Sequence, residues 1–554
     1  MKRIKFKNII IIFFYLIFFL LLLKSSFSYL DPDLGWHLKA GEEAHLNKAV
    51  PYENYYNYVF PAEENFWINH EWLSDYLLFL AYDNWGYPFI NIFFALLIIL
   101  TLVILNGFVS KKIIKDERSI YIILIIEALG LRAMLPHFGV RVQEISVLFL
   151  LLLLIIVFNF EKGALNKNNR YFLVLIWLIP LFYLWANLHA GFLLGIFTLL
   201  FYLGVKIIEK IVYNFKDRKL GRTLESFFNL ESRLGNKNLR IFFVFSILAV
   251  ASTTLTPYGL KLFDFLSSYK NTAYLKIISE WLPQYYWPLM YEQIVYIGLV
   301  LTGWIITVFF YKNYKNNQHG KVFLSPWMLA LNLFFIILAI KSKRHFPLFF
   351  IVSLPFISSF FYHEFKETLL KGIKKTNNTI DWFLKIFLIS VFTCTTLLIA
   401  ININFVYNPF DYFNQSYPRD ATNFLKENHE KYFSANIFNH YAWGGYLIHE
   451  YPEKKLFIDG RLPQKEINNH SFVEEYALFF SEEEEIVTKK IEEYQIKLFL
   501  LDKPIKIKKR WLDKKIFGFK NDYLETENQL IKYLDNNNFN KIYEDEISVI
   551  YYQK

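Results

Sequence analysis

The chain has 554 residues, 54% of them hydrophobic and 20% aromatic, with a net charge of +10 and one cysteine, Cys394. A single thiol excludes a disulfide framework and a cysteine-based metal site. The basic excess lies in short loops between apolar runs, where the positive-inside bias accounts for it without a nucleic-acid partner.

Taken in order, the apolar runs predict a polytopic α-helical membrane protein. The first, over 9–23, follows Lys2, Arg3, Lys5 and Lys7, which predicts a cytoplasmic N-terminus. Further spans are predicted over 87–110, 119–135, 142–159, 171–187, 190–208, 241–256, 293–311, 323–341, 346–362 and 382–402, about eleven in all. The intervening inner loops carry Lys111, Lys112, Lys115 and Arg118, then Lys162, Lys167 and Arg170. The basic 206–240 loop, Lys312, Lys315, Lys321 and the 366–375 stretch continue the series. An odd number of spans puts the C-terminal part outside.

Residues 28–75 are predicted to form a large first outer loop. Only Lys39 and Lys48 offset Asp31, Asp33, Glu42, Glu43, Glu53, Glu63, Glu64, Glu71 and Asp75. The stretch 33–46 has a helical pattern, in which Asp33 and His37, four apart, share a face. A second polar cluster, Asn69-His70-Glu71, is framed by Trp67 and Trp72.

From 404 the pattern changes to that of a soluble α/β domain, which divides the chain into a transmembrane part over 1–403 and an outer part over 404–554. Helices are predicted over 418–427 and 481–494, and strands over 432–438, 455–458, 496–501 and 547–552. Gly444-Gly445 reads as a tight turn, and Asp459-Gly460 as the end of a strand.

Chemistry concentrates on the outer side. Asp31 and Asp33 follow the first span directly, where carboxylates are costly unless they meet solvent, a cation or a substrate. Asp-x-Asp suits a divalent ion such as Mg or Mn, since hard cations take carboxylate oxygens. His37, His45, His70, His137, His189 and His345 fall on predicted outer loops or span ends, and only His319 and His363 fall inside. Such groups titrate, bind metals or hold polar ligands. The plainer alternative is that histidines avoid the bilayer and the inner loops are simply lysine-rich.

Arg141 in one outer turn, and Lys341, Lys343 and Arg344 in another, run against the positive-inside trend. A phosphate is a natural partner, because arginine matches it in a bidentate manner. Pairing with the acidic first loop or with anionic headgroups is the other reading. Together these features fit a transferase acting on a lipid-linked phosphate donor, with a carboxylate deprotonating the acceptor hydroxyl and cations or a metal stabilising the departing phosphate. A transporter is less well matched, since no internal repeat is evident.

The stretches Asp31-Pro32-Asp33 with Trp36-His37-Leu38, Asn69-His70-Glu71-Trp72-Leu73, Trp443-Gly444-Gly445-Tyr446-Leu447 and Phe457-Ile458-Asp459-Gly460-Arg461 resemble bacterial membrane proteins of glycosyltransferase C (GT-C) architecture. The resemblance runs through the chain in order. It implies hexosyl or pentosyl transfer from a polyprenyl-phosphate sugar to an envelope glycan, lipid or protein, at the outer face of the bacterial cytoplasmic membrane. A lipid-linked glycan ligase or polymerase and a non-catalytic partner of the same fold are its neighbours. Asp31 or Asp33 would act as base, Asp31 being favoured, with Glu71 assisting. His37, His70, His189, Arg141 and Arg344 would bind donor phosphate or substrate. The Trp-Trp-Asp acceptor motif of oligosaccharyltransferases is missing, which disfavours protein N-glycosylation. Gly35 stands where relatives are expected to carry an aromatic or bulky residue, a departure expected to matter little to the chemistry. Asp459 and Arg461 are expected to be structural, with acceptor binding the alternative.

Overall fold

The computed structural model describes residues 6–61, 66–166, 170–214, 234–271, 278–309, 325–373, 378–413 and 415–553. Lys2, Arg3, Lys5, Glu63, Glu64, Lys167, Lys312, Lys315, His319, Lys321 and much of the basic 206–240 loop lie outside them.

Each apolar run read from the sequence is helical over most of its described residues. Among the described residues, eight helices are long and apolar enough to cross a membrane, the first over Lys7–Ser26. The runs predicted at 241–256, 323–341 and 382–402 correspond to helices Asn236–Ser252, Pro326–Lys341 and Asn378–Ile401. The second span is preceded by an additional helical segment. The helix starts at Trp72 and is broken at Gly86, and the part beyond the break, to Phe108, matches the predicted span over 87–110. The extra turns are accommodated by a break at Gly86, whose φ of 75° only glycine adopts without strain, just ahead of Pro88.

Several charged and polar groups within the bundle satisfy one another, as a low-dielectric interior favours. Tyr15 donates to Glu127 at 3.2 Å and Asn106 to the same carboxylate at 3.4 Å. Lys206 is held between Glu161 and Glu209, and Trp327 donates to Glu161 at 2.7 Å.

Four elements position the cavity described below: α1 (Phe6–Ser26), α2 (Leu34–Asn47), α3 (Trp72–Phe108) and α4 (Gly444–Glu450). Helix α2 forms close to the predicted place and buries Leu34, Trp36, His37, Leu38 and Ala40. It is wedged between α3 and α4, and glycine permits both approaches. A Cβ on Gly41 would overlap the Asp75 carbonyl, and one on Gly35 would overlap the Gly445 carbonyl. Gly35 is therefore a packing requirement, a role separate from the chemistry. Gly444-Gly445 is also not a tight turn: it opens α4 with helical geometry (Gly444 φ −56°), and a Cβ on Gly445 would meet the Pro32 carbonyl.

The C-terminal α/β region carries a four-stranded sheet of β1 (Asn436–Asn439), β2 (Ile496–Asp502), β3 (Asn540–Glu544) and β4 (Ser548–Tyr552) in the order β1-β2-β4-β3. Strand β1 is parallel to β2, and the other pairs are antiparallel. The predicted strand over 432–438 starts later, because His429–Tyr432 is helical. The predicted strand at 455–458 does not join the sheet. Its backbone pairs instead with the first loop, through Leu456 N to Tyr56 O at 2.7 Å and Tyr58 N to Leu456 O at 3.3 Å. This stitches the C-terminal region to residues 54–58.

Candidate active site

The end of α1 runs into an Asx turn, in which the Asp33 backbone N–H donates to Asp31 Oδ1 at 3.0 Å. Helix α2 then starts, and the Trp36 indole turns back to donate to Asp33 Oδ1 at 2.9 Å. A cavity of about 970 Å³ opens here, between the helical bundle and the C-terminal region. Asp31, Asp33, His37, His70 and Glu71 line it, and so do Arg141, His189 and Arg344 from three further turns. The structure thus brings all eight residues singled out from sequence to one place.

At its centre is Glu71. His189 Nε2 lies 3.4 Å from its carboxylate, His70 Nε2 3.7 Å and His37 Nε2 3.8 Å. Asp33 and His37 share a face as predicted, but His37 Nδ1 donates to Asp75 Oδ1 at 2.6 Å, not to Asp33. Asn69 donates to the other Asp75 oxygen at 2.7 Å. His189 Nδ1 accepts from the Gly191 backbone N–H at 2.9 Å, which leaves the ring proton on Nε2, towards Glu71.

Burial and charge set the protonation states. Burial pushes Glu71 up to about 7; His37 opposes this, and Asp75 and Asp33 reinforce it. Burial and then Asp31 raise Asp33, against His37, the Trp36 hydrogen bond and Arg344. Burial alone would lower His37, but Asp75, Glu71 and Asp33 outweigh it and lift the imidazolium to about 9. His70 is lowered by burial to about 4, and His189 is lowered by burial and by His70. At neutral pH the cluster therefore holds one imidazolium, two neutral imidazoles and a carboxyl group near its midpoint.

The cations differ in how they are committed. Arg141 Nε lies 2.7 Å from Asp31 Oδ2, and one of its Nη atoms lies 2.8 Å from Glu280 Oε1. Lys343 spends its ammonium on the Tyr286 and Pro288 carbonyls. Arg344 lies over the Trp281 ring, 4.8 Å from its centroid, and has no carboxylate ion pair among the described residues. Among the three, Arg344 is the cation left free to meet a ligand phosphate.

The divalent ion expected at Asp31 and Asp33 meets an unsuitable donor set. Asp31 already receives Arg141 and the Asp33 amide, and Asp33 receives the Trp36 indole. Water and substrate phosphate complete the coordination of a hard cation held by one or two carboxylates, so the obstacle is Arg141, whose guanidinium fills the place beside Asp31. Among the described residues, no group of three His, Cys, Asp or Glu side chains is arranged to hold a metal. The pair does not fit the ion.

Sequence reasoning passed over two contributors as site residues. Asp75 fixes His37 across 38 positions of sequence, and Glu280 reaches Arg141 across 139. Neither separation leaves a local signature. A third, Arg461, is expected from sequence to be structural. Its guanidinium pairs with Asp459 at 2.8 Å, donates to Asn54 at 2.8 Å and to Asn57 at 3.2 Å, and packs over Tyr56 and Trp67. It locks the first loop to the C-terminal region, and also lines the cavity.

The fold has solved counterparts. The chain is similar to the apo oligosaccharyltransferase of Archaeoglobus fulgidus, with a TM-score of 0.53 at 12% identity, over 90% of this chain and 70% of that one. The same enzyme tethered to an acceptor peptide containing the NVT sequon gives 0.54 at 13% identity, over 90% and 69%. The archaeal oligosaccharyltransferase AglB, in complex with an inhibitory peptide and a dolichol-phosphate, gives 0.51 at 12% identity, over 90% and 70%. The chain thus shares its fold with these structures: a bundle of apolar helices bearing a C-terminal α/β region. No protein-family model and no curated protein matches the chain.

Proposed function

We propose that the protein is a membrane glycosyltransferase, moving a sugar from a polyprenyl-phosphate-linked donor to an envelope acceptor at the extracytoplasmic face of a bacterial cytoplasmic membrane. One observation carries the reading: a single cavity joins the carboxyl groups of Asp33 and Glu71 to Arg344, which has no carboxylate partner among the described residues.

In this scheme Glu71 takes the proton of the acceptor hydroxyl. The oxygen attacks the anomeric carbon as the bond from that carbon to the phosphate oxygen breaks, and the phosphate leaves with the electron pair. Arg344 meets the charge that develops on the phosphate. Asp33, with one oxygen held by Trp36, orients the acceptor hydroxyl through the other. Asp31, the first choice from sequence, would have to leave Arg141 to act as base, which moves that role to Glu71. Arg141 in turn cedes donor phosphate to Arg344. His70 and His189 stand beside Glu71 as neutral groups able to relay its proton.

A ligase transferring a whole lipid-linked glycan is the second reading. The volume of about 970 Å³ and the likeness to oligosaccharyltransferases favour it. One experiment tests both: glycan analysis of envelope material from a deletion strain complemented with wild type, Glu71→Gln or Asp33→Asn. Loss of one sugar supports the first reading and loss of a block of sugars the second. Full rescue by both variants overturns them together.

A further inference from the structure

We propose that Arg141 is a built-in substitute for a divalent cation: its guanidinium occupies the place between Asp31 and Glu280 that a metal ion would otherwise take. The three residues come from separate segments. Asp31 follows α1, Arg141 lies in the turn before helix Gln143–Leu165, and Glu280 sits in the short turn Ser279–Trp281. Nothing in local sequence brings them together, and the tertiary fold places one cation between two anions.

The contacts are those of a bridging ion. Two nitrogens of the same guanidinium reach two different carboxylates, at 2.7 Å and 2.8 Å. The side chains are 10%, 13% and 29% exposed for Arg141, Asp31 and Glu280. The Tyr29 ring covers the guanidinium at 5.8 Å. In such surroundings two carboxylates without a cation would repel each other and pay for desolvation together. Something positive has to hold them, and the chain supplies it.

Guanidinium and metal are not equivalent here. A divalent ion keeps coordination positions open for water or phosphate. Arginine carries donors only, and here two of its nitrogens are committed to carboxylates. The cluster therefore acts as a structural clasp between three turns, and ligand phosphate is left to Arg344. This inference stands whether or not the protein transfers a sugar.

The test is Mn2+ binding to the full-length protein in nanodiscs, followed by electron paramagnetic resonance and calorimetric titration. Wild type is expected to show no bound Mn2+ that depends on Glu280, and its thermal unfolding should be unmoved by Mn2+ or EDTA. Arg141→Ala, by vacating the bridge, should gain a bound Mn2+ signal, lost again in Arg141→Ala/Glu280→Gln. Wild-type Mn2+ binding that Glu280→Gln abolishes would overturn the proposal. So would a folded Arg141→Ala protein that gains none. Should Arg141→Ala not fold, the comparison of wild type with Glu280→Gln decides alone.

Discussion

His37 Nδ1 and Asp75 Oδ1 are 2.6 Å apart, and this contact ties the first turn of α2 to the first turn of α3 beneath the cavity. The neighbouring carboxylates lift His37 from its ordinary 6.5 to about 9. A raised imidazole contributes stability that is complete below the unfolded value and is lost as pH rises through the folded one. The window is thus about pH 6.5 to 9, and the contribution is on the order of 3 kcal/mol. Thermal unfolding in nanodiscs should show wild type losing its advantage over His37→Gln as pH rises through that window. An advantage constant across it would refute the ion pair.

The same contact orients His37 towards Glu71, whose burial sets the pH dependence of the proposed reaction. With Glu71 at about 7, transfer should rise as pH increases through 7 and fall below it, because the base must be ionised. Glu71→Gln should cost roughly 10²–10⁴ in rate and remove that limb. Initial rates of transfer by proteoliposomes between pH 5.5 and 8.5 check both. A variant that keeps the wild-type profile would exclude Glu71 as the base.

Gly35 and Gly445 let α2 and α4 touch backbone to backbone. Gly445→Ala should therefore destabilise by about 1–3 kcal/mol or more, as overpacking does. Gly204→Ala, where an added Cβ meets nothing, should be neutral or slightly stabilising. Comparing their unfolding midpoints isolates the close approach from the general effect of replacing a helical glycine.

Arg461 is buried with Asp459, and removing one partner of such a pair is more harmful than the pair is helpful. Arg461→Ala should cost about 3–5 kcal/mol and loosen the C-terminal region from the first loop. Limited proteolysis would register this as new cleavage around residues 54–58. Protection equal to wild type would show that the clamp is dispensable.

Much of the fold was legible because membrane helices are specified by composition. A bilayer demands long apolar runs with internally satisfied backbones, and each run read from sequence is helical over most of its described residues. Helix α2 and the strands at 496–502 and 548–552 were readable for a similar reason, as their periodicity is local. The 455–458 segment misled because extended backbone has the same signature whichever partner it finds.

The site divides in the same way. Composition and spacing alone single out the residues that line the cavity: an acidic first loop, histidines at the predicted outer span ends, and arginines where lysines and arginines are otherwise sparse. They could not determine which of those charges are free. That depends on pairing between distant segments: Asp31 is claimed by Arg141, Arg141 is shared with Glu280, His37 is fixed by Asp75, and Arg344 has no carboxylate partner among the described residues. Hydrogen-bonded ion pairs form only at contact distance, so the role of each group follows from its neighbours in space, which the fold brings together from segments far apart in sequence.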